Sequence, residues 1–385
     1  MILPNKWKVI PLEELAEVRS GVTLSQKEIQ DGVELPYLRV ANVQDGKIDL
    51  TEIKNVKVEK EKVERFLLKR GDILLTEGGD FDKLGRGAVW QGEIEPCLHQ
   101  NHVFAVRTKE SLLPEFFAAL TRTHYGRTYF LSCAKRSTNL ASINSSQLKR
   151  FPVLLPPLAE QKKIAEILST WDEAISVVDK QLDNCRQQKK ALMQQLLTGK
   201  KRLPGFSGEW KNVKLGDVAQ VEKGTPLNGN NIALGPYPVI AGGKTVTTWH
   251  KEYTHENIIT VSASGAYAGY VSIHTQKIWA SDCSVIAPVK DELDLNFLFQ
   301  NMLFKQEDIY KLQVGGAQPH VYPKDLIKFY MPLPSLREQQ AISDILGLSD
   351  KQMCNLEKQV VLLKEEKKSL MQQLLTGKKR VAVEE

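Results

Sequence analysis

Lys190-Ala191-Leu192-Met193-Gln194-Gln195-Leu196-Leu197-Thr198-Gly199-Lys200-Lys201-Arg202 returns 178 residues later as KSLMQQLLTGKKR, from Lys368 to Arg380. Twelve of the 13 positions are identical, which coincidence does not produce. An internal repeat decides architecture before any local reading does. Upstream, LAEQKKIAEILSTWD (Leu158 to Asp172) returns at the same offset as LREQQAISDILGLSD (Leu336 to Asp350), so the intervening stretch is duplicated without a gap. A fainter repeat has another offset: Trp7-Lys8, Leu12, Ala16, Val18 and Gly21 match Trp210-Lys211, Leu215, Ala219, Val221 and Gly224, all 203 apart. The two offsets differ by 25, so the first copy of the region between is longer by that much. The order is variable block, constant block, variable block, constant block.

The constant blocks predict helices. Ile164, Leu168, Trp171, Ile175, Val178, Leu182, Cys185, Lys189, Leu192 and Leu196 follow alternating steps of four and three, the seam of a coiled coil. The second copy gives Ile342, Leu346, Ser349, Met353, Leu356, Val360, Leu363, Lys367, Leu370 and Leu374. Pro156-Pro157 and Pro334 precede the helices, and Gly199 and Gly377 stand where a left-handed cap belongs. About 40 residues at ~1.5 Å each make rods of ~60 Å. Lys189 and Lys367 interrupt the seams at equivalent points. Either they fix register or orientation, or they lie near a rod end and snorkel to water. Two such rods in one chain most simply pack on each other, antiparallel, with a globular block at each end and a pseudo-two-fold between the halves.

The variable blocks read as α+β. Strands are expected at Tyr37–Val40, Asp72–Thr76 and His102–Val106, and at Pro238–Ile240, Asn257–Val261 and Ser284–Ala287. Leu112–Arg122 and Leu295–Lys305 are the matching helices. The expected division is 1–157 and 201–335 for the globular blocks, 158–200 and 336–378 for the spacer helices, and 379–385 for a tail. Each block carries a glycine-rich loop after a strand, Thr76–Gly87 and Ser262–Tyr270, and a second loop before its rod, Lys135–Asn139 and Gly315–His320. Glycines let a backbone approach a ligand closely, although such loops are commonly only turns.

Composition removes whole classes. With 42% hydrophobic and 25% charged residues the chain is neither disordered nor fibrous. No apolar stretch is long enough to span a membrane, and Met1-Ile2-Leu3-Pro4-Asn5-Lys6-Trp7 lacks the charged leader and apolar run of a secretion signal. Five scattered cysteines fit reduced thiols in a cytosol better than disulfides or zinc. A net charge of +6 permits nucleic-acid binding without arguing for it. No Asp-Pro-Pro-Tyr, GxGxxG or HExxH occurs, and Gly242-Gly243-Lys244-Thr245 fails as a phosphate loop because Pro238 replaces its first glycine. No catalytic constellation and no metal site is found.

The alternation of blocks, with the phrases LAEQKKIAEIL, LREQQAISDIL and KSLMQQLLTGKKR, resembles the specificity (S) subunit of type I restriction-modification systems. TEGGDFDKLGRGAVW and HQNHVFAVR, then NIITVSASGAYAGYV, ASDCSVIA and GGAQPHVYPKDL, are similar to loops of two of its target-recognition classes. The resemblance implies a cytoplasmic, non-catalytic reader of double-stranded DNA. Each variable block would read half of a bipartite site, and the helices would set the gap and dock two methyltransferase (M) subunits. S-adenosylmethionine, ATP and Mg would belong to the M and restriction (R) subunits, and the chain itself would carry no cofactor. The implied DNA-contacting residues are Gly78, Gly79, Lys83, Gly85, Arg86, Gln100, Asn101, His102, Arg136, Ser137 and Asn139 in the first block. In the second they are Ser262, Ser264, Gly265, Tyr267, Gly316, Gln318 and His320. Arginine pairs well with guanine, and Asn or Gln with adenine. A fused methyltransferase or nuclease, and a coiled-coil protein scaffold without DNA reading, are the rival readings.

Overall fold

A computed structural model describes residues 3–24, 29, 31–81, 84–136, 140–227, 233–289 and 291–383. The four-three spacing forms two helices of 39 residues each, Leu158–Leu196 and Leu336–Leu374. Gly199 and Gly377 close them with φ of 69° and 70°, a left-handed turn that a Cβ would strain. Every seam position is buried or half-buried, while Glu166, Lys180 and Lys358 between them are exposed.

The chain divides into two compact units, Met1–Val177 with Val360–Glu385, and Val178–Gln359. Both divisions fall inside the long helices. Each unit therefore holds one variable block, part of one helix and part of the other.

The first unit is built on a four-stranded sheet of β1 (Ala16–Ser20), β2 (Ile73–Thr76), β3 (Gly87–Val89) and β4 (Val103–Thr108), in the order β1-β4-β2-β3. Its β2, ILLT, is buried throughout, as a central strand covered on both faces must be. The second unit repeats the order with β5 (Ala219–Lys223), β6 (Ile258–Ser262), β7 (Val271–His274) and β8 (Cys283–Pro288), arranged β5-β8-β6-β7. Phe116 and Phe117 of the Pro114–Thr121 helix, with Phe130 and Phe151, fill the first core. Phe297, Leu298 and Met302 of the Leu295–Phe304 helix fill the second. The helices supply walls to both cores, Ile164, Leu168 and Leu374 to the first and Leu196, Ile342 and Leu346 to the second.

One expected strand is shorter than its pattern. The Gly32–Leu38 strand stops before Val40, which opens a 3-10 turn at Val40–Asn42. Asn42 causes the stop: its carbonyl oxygen accepts the Arg39 N–H at 2.9 Å, and its amide donates to the Asp49 and Glu52 carbonyls. A short polar side chain has here outbid the sheet for the backbone.

Polar anchors tie the helices to the sheets, and they recur at the repeat offsets. In the first unit, buried Glu160 accepts from Arg380 Nε and Nη2 at 2.6 and 2.8 Å and from the Trp7 indole at 3.0 Å. In the second, buried Glu338 accepts from Arg202 at 2.6 and 2.7 Å and from Trp210 at 3.1 Å. The adjoining Gln161 and Gln339 accept the Leu113 and Asp294 N–H groups at 2.8 and 2.9 Å, where the Pro114 and Leu295 helices begin.

The seam lysines do not snorkel. Lys189, 7% exposed, meets Asp350 at 2.6 Å, and Lys367, 6% exposed, pairs with Asp172. In the first unit residues 160 and 172 meet 380 and 367; in the second, 186 and 189 meet 357 and 350. Rising numbers face falling ones, so the paired helical segments run in opposite directions within each unit.

A buried and a half-buried histidine make stability depend on pH. Burial pushes the His99 ring down to about 4, with its Nδ1 at 2.7 Å from the Val103 carbonyl, and burial does the same to His274. An unfolded histidine takes up its proton near pH 6.5, so between 6.5 and about 4 the unfolded chain binds more protons than the folded one. Stability is therefore expected to fall across that window, by about 3 kcal/mol from His99. Denaturant midpoints at pH 7 and pH 4.5 measure it. A fall no shallower in a His99→Gln variant would count against the assignment.

Candidate nucleic-acid interface

In each unit the loop leaving the central strand meets the segment that precedes the long helix. In the first unit Gly78–Gly79 pairs with Ala141–Ser142, which pairs with Lys135–Arg136. Glycine is required at 78, where a Cβ would approach the Ala141 carbonyl oxygen to 2.9 Å. Glu77 ties in a third segment: its N–H donates to the His102 carbonyl at 3.0 Å, and its carboxylate holds the His102 ring at 2.6 Å. Arg136 is exposed, with its guanidinium 5.9 Å from the centre of the Phe81 ring. The result is a surface ribbon bearing a cation on an aromatic face and a histidine–carboxylate pair.

The second unit brings four segments together. Ser264 bridges His320, the Gly265 N–H donates to the Pro319 carbonyl at 3.1 Å, and the Val321 N–H to the Ala263 carbonyl at 3.0 Å. The Ser264 hydroxyl donates to the Asp282 carboxylate. Gly242 lies against both, since a Cβ there would come within 2.9 Å of the Ser264 carbonyl oxygen. Lys244 places its ammonium 5.0 and 5.1 Å from the Tyr267 and Tyr270 ring centres. His320 stacks on Tyr322 with centroids 6.0 Å apart. Gly265, Gly316, Gln318 and Tyr267 complete a largely open surface beside the Asp282 carboxylate and the Lys244 ammonium.

Several expected contact residues take other places. Lys83, Ser137 and Asn139 lie outside the described residues. Gly85 is buried at φ 66°, and any side chain there would run into Phe130; its glycine serves packing. Ser262 is 4% exposed and donates to the Gly242 carbonyl at 2.8 Å, fastening two loops from beneath. Gln100 is held beside Val22 and Leu38, and Asn101 lines a cavity of about 1250 Å³ with Lys57, Lys62 and Arg65. Glu77, Phe81, Lys244 and Asp282 escaped selection from the sequence. Lys244 carries a usable signal in its Gly-Gly-Lys-Thr setting; Asp282 carries none, because only the fold brings it to Ser264.

Among the described residues no group of His, Cys, Asp and Glu is arranged to hold a metal ion, and no helix is long and apolar enough to cross a membrane. All five cysteines are unpaired, and burial pushes the Cys97 and Cys283 thiols up to about 12.

A family model described as the type I restriction modification DNA specificity domain matches residues 4–184 and 207–362. This chain belongs to that family. The specificity subunit is 29% identical over 411 residues to the putative type I restriction enzyme MjaX specificity subunit of Methanocaldococcus jannaschii, covering 98% of this chain and 95% of that one. It is 26% identical to the EcoKI specificity subunit of Escherichia coli over 185 residues, 48% of this chain and 39% of that one. Among solved structures, the type I S subunit from M. genitalium superposes with a TM-score of 0.64 at 16% identity, covering 97% of this chain and 98% of that one. Mixed α and β content in two matched regions is the fold that this specificity subunit shares with it.

Proposed function

We propose that this specificity subunit reads a split, asymmetric site in double-stranded DNA, the block at 1–157 taking one half and that at 201–335 the other. The helices of 158–200 and 336–378 form an antiparallel coiled coil with pseudo-two-fold symmetry. They set the unread gap between the half-sites and dock methyltransferase subunits. The chain performs no chemistry. Adenine methylation and restriction fall to M and R subunits, which hold S-adenosylmethionine, ATP and Mg, in the cytoplasm. One observation carries this reading: the two units repeat the same sheet order and the same Glu-Arg-Trp anchor, yet present unlike side chains on their converging loops. A constant scaffold with variable tips suits two readers of different sequences. Linking two short recognitions gains affinity only when the span matches.

The test alters the span. Four residues inserted at equivalent points in both helices lengthen them by ~6 Å, close to two base pairs at ~3.4 Å each. Methylation sequencing of cells carrying the complete system is expected to give the same half-sites, about two base pairs further apart. An unchanged gap overturns the spacer role, and a wild-type system with no two-part motif overturns the reading itself.

A further inference from the structure

Arg86, Arg122 and Arg127 line one small pocket of the first unit with Asp45, Gly85 and Thr121. Arg122 Nε donates to one Asp45 oxygen at 2.7 Å, and Arg127 Nη2 to the other at 3.1 Å. One carboxylate thus serves two of the three guanidiniums. Arg86 Nε is sealed from solvent and meets no acceptor, while the residue as a whole is only half-buried. A buried donor on a charged group that stays unmet costs more than a neutral one, so such a group calls for an anion. The turn at Asp45-Gly46 is shaped around these side chains: Gly46 has φ 80°, and a Cβ there would run into the Arg122 guanidinium.

We propose that this cluster binds a backbone phosphate of the DNA. The pocket, about 10 Å³, has room for roughly one water-sized atom, so a single non-bridging phosphate oxygen enters it while the rest of the group stays in solvent. Guanidinium forks suit that oxygen geometry better than a point charge does. Its position favours DNA over an acidic protein partner. The Arg86 carbonyl accepts the Thr76 N–H at 2.9 Å, closing the base of the loop whose Gly78–Gly79 pairs with Ala141–Ser142, next to Arg136. Loop base and loop tip would then divide the work, one gripping the sugar-phosphate strand and the other facing base edges. A phosphate contact positions without reading sequence. That differs from the base-reading role expected of Arg86 from its place in the loop, and it rests on the reading of the first unit as a DNA-binding unit.

Arg86→Ala and Arg127→Ala are compared with wild type, each assembled with the methyltransferase subunit of its own system, on cognate and unrelated duplexes from 50 to 200 mM salt. Both variants are expected to lose affinity for both duplexes by the same factor, with the slope of log K against log salt shallower by about one. The ratio of wild-type to variant affinity then shrinks about 3.5-fold across that range. Arg127 is half-exposed, so its variant keeps the test valid should Arg86→Ala melt early. An unchanged slope with a relaxed first half-site makes Arg86 a base reader and overturns the proposal. An unchanged slope with weakened methyltransferase assembly makes the ligand a protein carboxylate, which also overturns it. Loss of salt dependence in the wild-type complex would instead sink the DNA-binding reading beneath it.

Discussion

Glu338→Ala is expected to destabilise the second unit by about 1–3 kcal/mol, because it removes the one buried acceptor that gathers a part-exposed guanidinium and an indole N–H. Glu338 is 1% exposed and takes three hydrogen bonds, two from Arg202 and one from Trp210. Those bonds hold the Arg202 guanidinium above its ordinary range. With the carboxylate gone, the Trp210 N–H loses its acceptor and the Arg202 guanidinium keeps only the Gly208 carbonyl and water, where the second long helix starts, the first ends and the edge strand Lys211–Lys214 begins. The first unit keeps its own anchor at Glu160, so denaturant unfolding of the full chain should split into two transitions. One should stay near the wild-type midpoint and the other move far below it. A single transition shifted by less than about 1 kcal/mol would show that the anchor contributes little. A Glu338→Leu, Arg202→Met double variant should recover much of the loss, since paired apolar replacement leaves no buried charge unmet.

Asp282→Asn is expected to change what the second half-site specifies. Asp282 is exposed, and the Ser264 hydroxyl orients its carboxylate at the meeting point of the loops around Gly242, Ser264 and His320. A carboxylate accepts from the exocyclic amino group of cytosine in the major groove, whereas an amide both donates and accepts. Discrimination at one base pair of that half-site should fall by about 1–3 kcal/mol, roughly 5- to 150-fold. Binding of the complete complex to duplexes substituted one position at a time measures it, with the first half-site as internal control. Equal damage to both half-sites would mean that Asp282 supports assembly and not recognition.

The helices were legible because their cause is local. A seam repeating every three and four residues, a glycine after it and prolines before it can all be read along the chain, and the coordinates place every seam residue in shelter. The central strands of each block were legible for the same reason, their residues being mostly apolar or β-branched over a short run. Residues whose surroundings the chain order does not announce have the opposite cause. Gly85 and Ser262 read as loop residues free to meet a ligand. Their neighbours Phe130 and Gly242, distant in the chain, turn one into a packing glycine and the other into a buried fastener. Asn42 ended a strand through bonds to residues up to ten positions away.

Repetition and periodicity were therefore enough to establish two like halves, two long helices and mixed α and β heads. The helices and strands depend on residues within a few turns of one another, where spacing translates directly into which face is apolar, and the like halves on wording repeated along the chain. Which charges meet was decided only in three dimensions. Glu160 finds Arg380 across 220 residues, Lys189 finds Asp350 across 161, and Ser264 finds Asp282 across two strands. A buried charge must be matched wherever the chain can bring a partner, and that requirement leaves no spacing to read.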